Sequence, residues 1–170
     1  MERAARNDIS VLVVEDDVCL RDVLGELLEQ EGYGVSLASN GFSGLRLAAE
    51  QHPRIILLDL ALPELSGFDV LRELRGNPRT HDIAVIIVSG NAERLAAEGQ
   101  LDMVDAIVHK PFTIESLLDV IQHVAHSGVS RPATRLAEVP PVVTLPVAST
   151  RRTQPSRAWR SAVHTRGRHV

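Results

Sequence analysis

Ile55-Ile56-Leu57-Leu58-Asp59-Leu60-Ala61-Leu62-Pro63 is the stretch that decides how this chain folds. Four apolar residues in a row read as a short buried strand. A carboxylate at the end of such a strand is costly unless something there uses it. Three other places repeat the pattern. Residues 11–14 end in Glu15-Asp16-Asp17, residues 84–88 end in Ser89-Gly90, and residues 106–108 lead through His109 to Lys110-Pro111. Apolar strands that each end in a different polar group predict one site at one edge of a parallel sheet, where open α/β sheets bind their ligands.

The segments between these runs carry helical spacing. Leu20, Val23, Leu24, Leu27 and Leu28 form one stripe, with Gly32 as its stop. Residues 35–38 read as a further strand. A helix over 41–51 presents Leu45, Ala48 and Ala49, with Pro53 just beyond it. Val70, Leu71 and Leu74 mark a helix over 67–75, and another is expected over 91–98. The last, 113–125, has Thr113 as N-cap and Ile114, Leu117, Leu118, Ile121 and Val124 as its stripe. Strict alternation predicts the α/β class, a doubly wound five-stranded parallel sheet with right-handed crossovers.

Composition sets the bounds. A chain of 170 residues with 44% hydrophobic content is expected to hold one globular domain and a tail. Aromatics are 3%, so the core is built from Leu, Ile, Val and Ala. The single cysteine, Cys19, excludes an intramolecular disulfide framework and suits a reducing cytoplasm. The charged N-terminus does not read as a signal peptide, and no apolar stretch approaches the roughly 18 residues of a membrane span. Charge divides the chain. Residues 1–125 hold 10 basic and 21 acidic residues, a balance of 10 − 21 = −11, and residues 126–170 hold 8 arginines and one acid, 8 − 1 = +7. The second segment carries Pro132, Pro140, Pro141, Pro146 and Pro155 and loses the periodicity. We therefore expect a folded domain over 9–125 and a Pro/Arg-rich, mostly disordered tail over 126–170, within which 139–148 reads as extended.

Side by side, the strand ends make a chemical setting. Glu15, Asp16 and Asp59 would place three carboxylates within a few ångströms, an arrangement that repels itself unless a cation neutralises it. Oxygen ligands without histidine or cysteine favour a hard divalent ion, Mg²⁺ by cellular default. Lys110, the only lysine of the chain, adds a compact positive charge, and Ser89 adds a hydroxyl. Such a set suits a phosphoryl group, with Asp59 as a nucleophile forming an acyl phosphate. Asp17 reads instead as a helix cap, and His52, His81, His109 and His123 show no metal-ligand spacing.

The motifs Val11-Leu-Val-Val-Glu-Asp-Asp17, Ile56-Leu-Leu-Asp-Leu-Ala-Leu-Pro63 with Gly67, Val88-Ser89 and Lys110-Pro-Phe112 resemble the receiver domain of two-component response regulators. The resemblance spans about 9–125 and implies a flavodoxin-like (βα)5 fold. It implies that Asp59 accepts a phosphoryl group from a sensor histidine kinase or a histidine phosphotransfer protein. It implies Mg²⁺ on Glu15, Asp16, Asp59 and the backbone carbonyl of Ala61. Ser89 and Lys110 would engage the phosphoryl group, and the Lys110–Pro111 bond would be cis. Three departures stand out. Ile107 occupies the switch position, which usually carries an aromatic ring in this family. Ala61 and Asn91 flank the site of the attacking water, and Ala61 has no polar group to orient it. Met103-Val104-Asp105 replaces the usual Gly-Ala before the fifth strand.

Output follows from the tail. Residues 126–170 are too few and too proline-rich for a helix-turn-helix or an effector enzyme domain. The expected function is a stand-alone, chemotaxis-regulator-like receiver that signals to an unidentified downstream protein through protein–protein contacts. The alternative is regulation of transcription or nucleic-acid binding through Arg151, Arg152, Arg157, Arg160, Arg166 and Arg168. A phosphatase-like enzyme is disfavoured by Ala61, where such enzymes usually carry a second acid. A degenerate receiver is disfavoured by the intact polar set. The chain is expected to be a cytoplasmic signalling protein rather than an enzyme.

Overall fold

The computed structural model describes residues 8–127 and the backbone of a two-residue strand, Val142–Val143. Strands β1 (Ser10–Val14), β2 (Gly34–Ala38), β3 (Ile55–Leu58), β4 (Ala84–Ser89), β5 (Ala106–His109) and β6 (Val142–Val143) form one sheet in the order β2-β1-β3-β4-β5-β6. Every pairing is parallel. Helices α1 (Val18–Gln30), α2 (Gly41–Gln51), α3 (Gly67–Gly76), α4 (Arg94–Ala97) and α5 (Ile114–His126) connect successive strands, with a 3-10 turn at Leu101–Met103.

Apart from Ser10, Ser89 and His109 at their ends, β1, β3, β4 and β5 are apolar because both faces are covered. On one face Leu12, Val14, Ile56, Leu58, Val85 and Ile87 pack with Ala48, Leu71, Leu74 and Leu95 from α2, α3 and α4. On the other, Val11, Val13, Ile55, Leu57 and Ile86 pack with Leu24, Leu28, Leu117 and Ile121 from α1 and α5. The doubly wound α/β architecture expected from the alternation is what forms. Side-chain caps fix the helix starts. Asp17, Asn40, Ser66 and Thr113 accept from the backbone N–H of Leu20, Ser43, Asp69 and Ser116. Gly32 follows the end of α1 with φ 91°, a conformation open to glycine at little cost.

Two elements differ from the expectation. The helix read over 91–98 shrinks to the four residues of α4, with turn before it and a 3-10 turn after it. One apolar anchor, Leu95, is fully buried, and so short a run has no second turn of apolar spacing to bury. The sheet also gains a sixth strand inside the segment read as disordered. Val142–Val143 lies in the stretch read as extended, α5 runs one residue past the expected boundary to His126, and the rest of the tail beyond Ser127 lies outside the described residues. No described helix is long and apolar enough to cross a membrane.

Candidate functional site

Strand order reverses between β1 and β3, the position at which open α/β sheets leave a crevice beyond the strand ends. The register aligns Val14 with Leu58, so Glu15 and Asp59 leave the sheet side by side. Asp59 N–H donates to the Val14 carbonyl at 3.1 Å, which continues the ladder past both strands. Ligand oxygens of Glu15, Asp16 and Asp59 lie within 4.8 Å of one another. Glu15 is 4% exposed and Asp59 6%, while Asp16 faces solvent.

One cation answers the buried pair. Lys110 Nζ donates to Asp59 Oδ2 at 2.6 Å and to Glu15 Oε2 at 2.7 Å. Leaving one of two carboxylates this close and this dry without a counter-charge would be costly, so the ammonium holds the site together. Burial pushes the Glu15 carboxyl above its ordinary value, and the bond from Lys110 only partly offsets it. Burial alone would lower the Lys110 pKa. Its bonds to Asp59 and Glu15 outweigh that and raise it, so the ammonium stays charged.

The backbone completes the cradle. Ala61 N–H donates to Asp59 Oδ1 at 3.0 Å, and Asp17 N–H to Glu15 Oε1 at 3.4 Å. Asp59 Oδ2 thus faces the ammonium while Oδ1 faces the loop. Lys110 N–H donates to the Ser89 carbonyl at 3.2 Å, and the Lys110–Pro111 bond is cis. Ser89 ends β4, buried, with its hydroxyl accepting from Asn91 N–H at 3.3 Å. The structure therefore brings Glu15, Asp16, Asp59 and Lys110 together directly. Ser89 lies beside them on the next strand end, with its hydroxyl bonded to its own loop. Ile107 is buried among aliphatic side chains that include Leu95 and Val104. Asp17 caps α1, as its sequence position suggested.

Three features escaped the sequence reading. A Cβ placed on Gly67 would lie 2.1 Å from the Asp59 carbonyl oxygen, so α3 starts flush against the acceptor loop. Arg21 Nη1 donates to the Glu15 carbonyl at 3.1 Å. Arg75 reaches the Met103 carbonyl at 2.7 Å, the Ile83 carbonyl at 2.7 Å and Asp105 Oδ2 at 3.2 Å. The same Asp105 oxygen accepts from Val85 N–H at 2.8 Å. This brace is what Met103-Val104-Asp105 builds in place of Gly-Ala. A lone Gly after a Pro-bounded loop was a signal for Gly67. The Arg75–Asp105 pair spans 30 residues and leaves no local mark.

The carboxylates fit a hard divalent cation. They offer oxygen alone, they converge, and one stays open to solvent. Mg²⁺ suits such a set with several of its own waters retained.

Comparison with known proteins agrees. The model of the response regulator receiver domain matches residues 11–122. The DNA-binding dual master transcriptional regulator RpaA of Synechocystis is 35% identical over 109 residues, 64% of this chain and 45% of that protein. The polar-differentiation response regulator DivK of Brucella ovis is 32% identical over 118 residues, 66% of this chain and 93% of that protein. The chain thus spans about half the length of RpaA and nearly all of DivK. A crystal structure of the receiver domain of sensor histidine kinase PA1611 from Pseudomonas aeruginosa holds a magnesium ion in its active-site cleft. It superposes with a TM-score of 0.63 at 29% identity, covering 69% of this chain and 97% of that domain. With the sheet order, the converging carboxylates and the lysine opposite them, these matches establish that the chain belongs to the response regulator receiver domain family of two-component systems.

Proposed function

We propose that residues 9–125 form a working receiver that accepts a phosphoryl group on Asp59 and signals by a conformational switch through protein–protein contacts. The observation that carries this reading is the Lys110 bridge, 2.6 Å to Asp59 and 2.7 Å to Glu15. It puts a fixed positive charge where the oxygens of a phosphorylated Asp59 would stand. Asp59 Oδ2 attacks phosphorus, its bond to phosphorus forms as the donor's phosphorus–nitrogen bond breaks, and the donor histidine leaves with the electron pair. Lys110 transfers its bonds from the carboxylate to the new oxygens, and the Ser89 hydroxyl turns from Asn91 N–H to reach another. Glu15, Asp16, Asp59 and the Ala61 carbonyl would hold Mg²⁺, which supplies charge neutralisation for the incoming group.

The donor is a sensor histidine kinase or a histidine phosphotransfer protein, and the site of action is the cytoplasm. The chain acts on itself rather than on outside substrates, in keeping with the apolar Ala61. A second reading rests on the +7 balance of residues 126–170, which suits an anionic partner such as nucleic acid. Salt-sensitive DNA binding by the full chain would support it.

The test is intact mass after incubation with Mg²⁺ and acetyl phosphate. Wild type gains one phosphoryl group and Asp59→Ala gains none. Equal labelling of both would remove Asp59 from its role.

A further inference from the structure

β5 is the outermost strand of the receiver sheet until β6 adds to it. Ile107 aligns with Val142 and Val108 with Val143, in parallel. An uncovered strand edge presents unpaired N–H and C=O groups, a template for any extended chain. β5 also matters chemically, since it runs into Lys110, whose ammonium bridges the two buried carboxylates. We propose that residues 142–143 are a removable cover strand. They close the outer edge of β5 to extended segments of other chains, and they are released when the β5 end that bears Lys110 moves.

Several observations carry this. β5, α5 and β6 follow one another as strand, helix and parallel strand, the order used through the rest of the fold. Val142 and Val143 are β-branched, and Pro140-Pro141 just before them disfavours helix. The occupant and the folded part carry opposite charge, +7 for residues 126–170 against −11 for residues 1–125. A tether makes pairing intramolecular, which sustains a contact too weak to form between separate molecules. The strand has two residues, so its grip on the edge lies at the low-stability end of the fold.

The ladder supplies an internal control. Lys110 N–H faces β4, where it donates to the Ser89 carbonyl. Backbone groups alternate along a strand, so Val108 faces β4 as well, and Ile107 faces the outer edge. The Ile107 amide therefore reports on β6 and the Val108 amide on β4. Amide exchange is measured on the full chain by NMR for wild type, Val143→Pro and Val143→Thr. Proline removes a backbone donor, and threonine keeps it. Ile107 should be protected in wild type and in Val143→Thr. In Val143→Pro it should exchange about tenfold faster or more, with Val108 unchanged. An unprotected Ile107 in wild type, or equal protection in all three, overturns the cover strand. Protection that rises with protein concentration would assign the strand to a second copy and overturn the intramolecular reading.

The release step rests on the proposed role of Asp59. Acetyl phosphate with Mg²⁺ should speed Ile107 exchange in wild type and leave Asp59→Ala unchanged. Labelled protein with unchanged Ile107 overturns release. A chain that takes no label counts against the phosphoacceptor reading instead, and the Val143 variants still decide the strand.

Discussion

The two sides of the site are built to different standards. The carboxylates leave β1 and β3, central strands that are buried throughout beyond Ser10. The helices that follow β1 and β2, α1 and α2, have 13 and 11 residues, and each is capped by a side chain. Ser89 and Lys110 leave β4 and β5, which are joined by the four residues of α4 and a three-residue 3-10 turn, neither with a side-chain cap. The carboxylate side is thus framed by long capped helices, whereas the connection between Ser89 and Lys110 rests on one short helix and a 3-10 turn. This fits a bistable switch, in which one element stays as reference while its neighbour changes state.

Breaking the fixed side should have the largest effect. Gly67→Ala puts a Cβ where the Asp59 carbonyl oxygen stands, at 2.1 Å, and backbone cannot yield cheaply. We expect a loss of about 3 kcal/mol, read from the urea midpoint. Labelling of Asp59 should slow as its loop is displaced.

Arg75→Met tests the brace that ties α3 to the starts of β4 and β5. It removes bonds to Met103, Ile83 and Asp105 and leaves a half-buried carboxylate without its cation. The expected cost is about 2 kcal/mol, and it should be smaller in the double variant Arg75→Met, Asp105→Asn.

Leu95→Ala sharpens the contrast. Leu95 is fully buried yet sits on the four-residue helix. Amides of residues 91–104 should lose exchange protection while those of β1 and β3 keep theirs. Uniform loss would mean that the two sides unfold as one unit.

The smallest effect is expected far from both. Asp82 bonds to the His52 ring at 3.2 Å. Slight burial favours its neutral form, but its own backbone N–H and the His52 ring outweigh that and hold its pKa below the ordinary 3.8. A carboxyl depressed on folding stabilises above its unfolded pKa, and the contribution fades as pH falls through the folded value. Asp82→Asn should cost less than about 1 kcal/mol near neutrality. The gap to wild type should close in acid and shrink with salt, both read from thermal midpoints.

The parts of the fold that the sequence spells out are those with a local cause. β1, β3, β4 and β5 read as unbroken apolar runs because helices cover both their faces, and the polar residues that end them converge because parallel strands end together. Asp17, Asn40, Ser66 and Thr113 cap because their side chains sit three residues before a free N–H. What stayed hidden depends on distant partners. Nothing near Arg75 announces Asp105, 30 residues away. Val142–Val143 carries β-forming residues, but a two-residue strand becomes visible only once β5 offers an edge.

In the proposed switch, Asp59 receives a phosphoryl group on a fixed frame and β4 and β5 answer. Peptide-resolved mass spectrometry of the chain treated with Mg²⁺ and acetyl phosphate reads both halves at once. One phosphoryl group is expected on the peptide that contains Asp59, with amide exchange altered across residues 89–110 and unchanged at 11–14 and 55–58. A phosphoryl group elsewhere, or a response confined to β1 and β3, would contradict it.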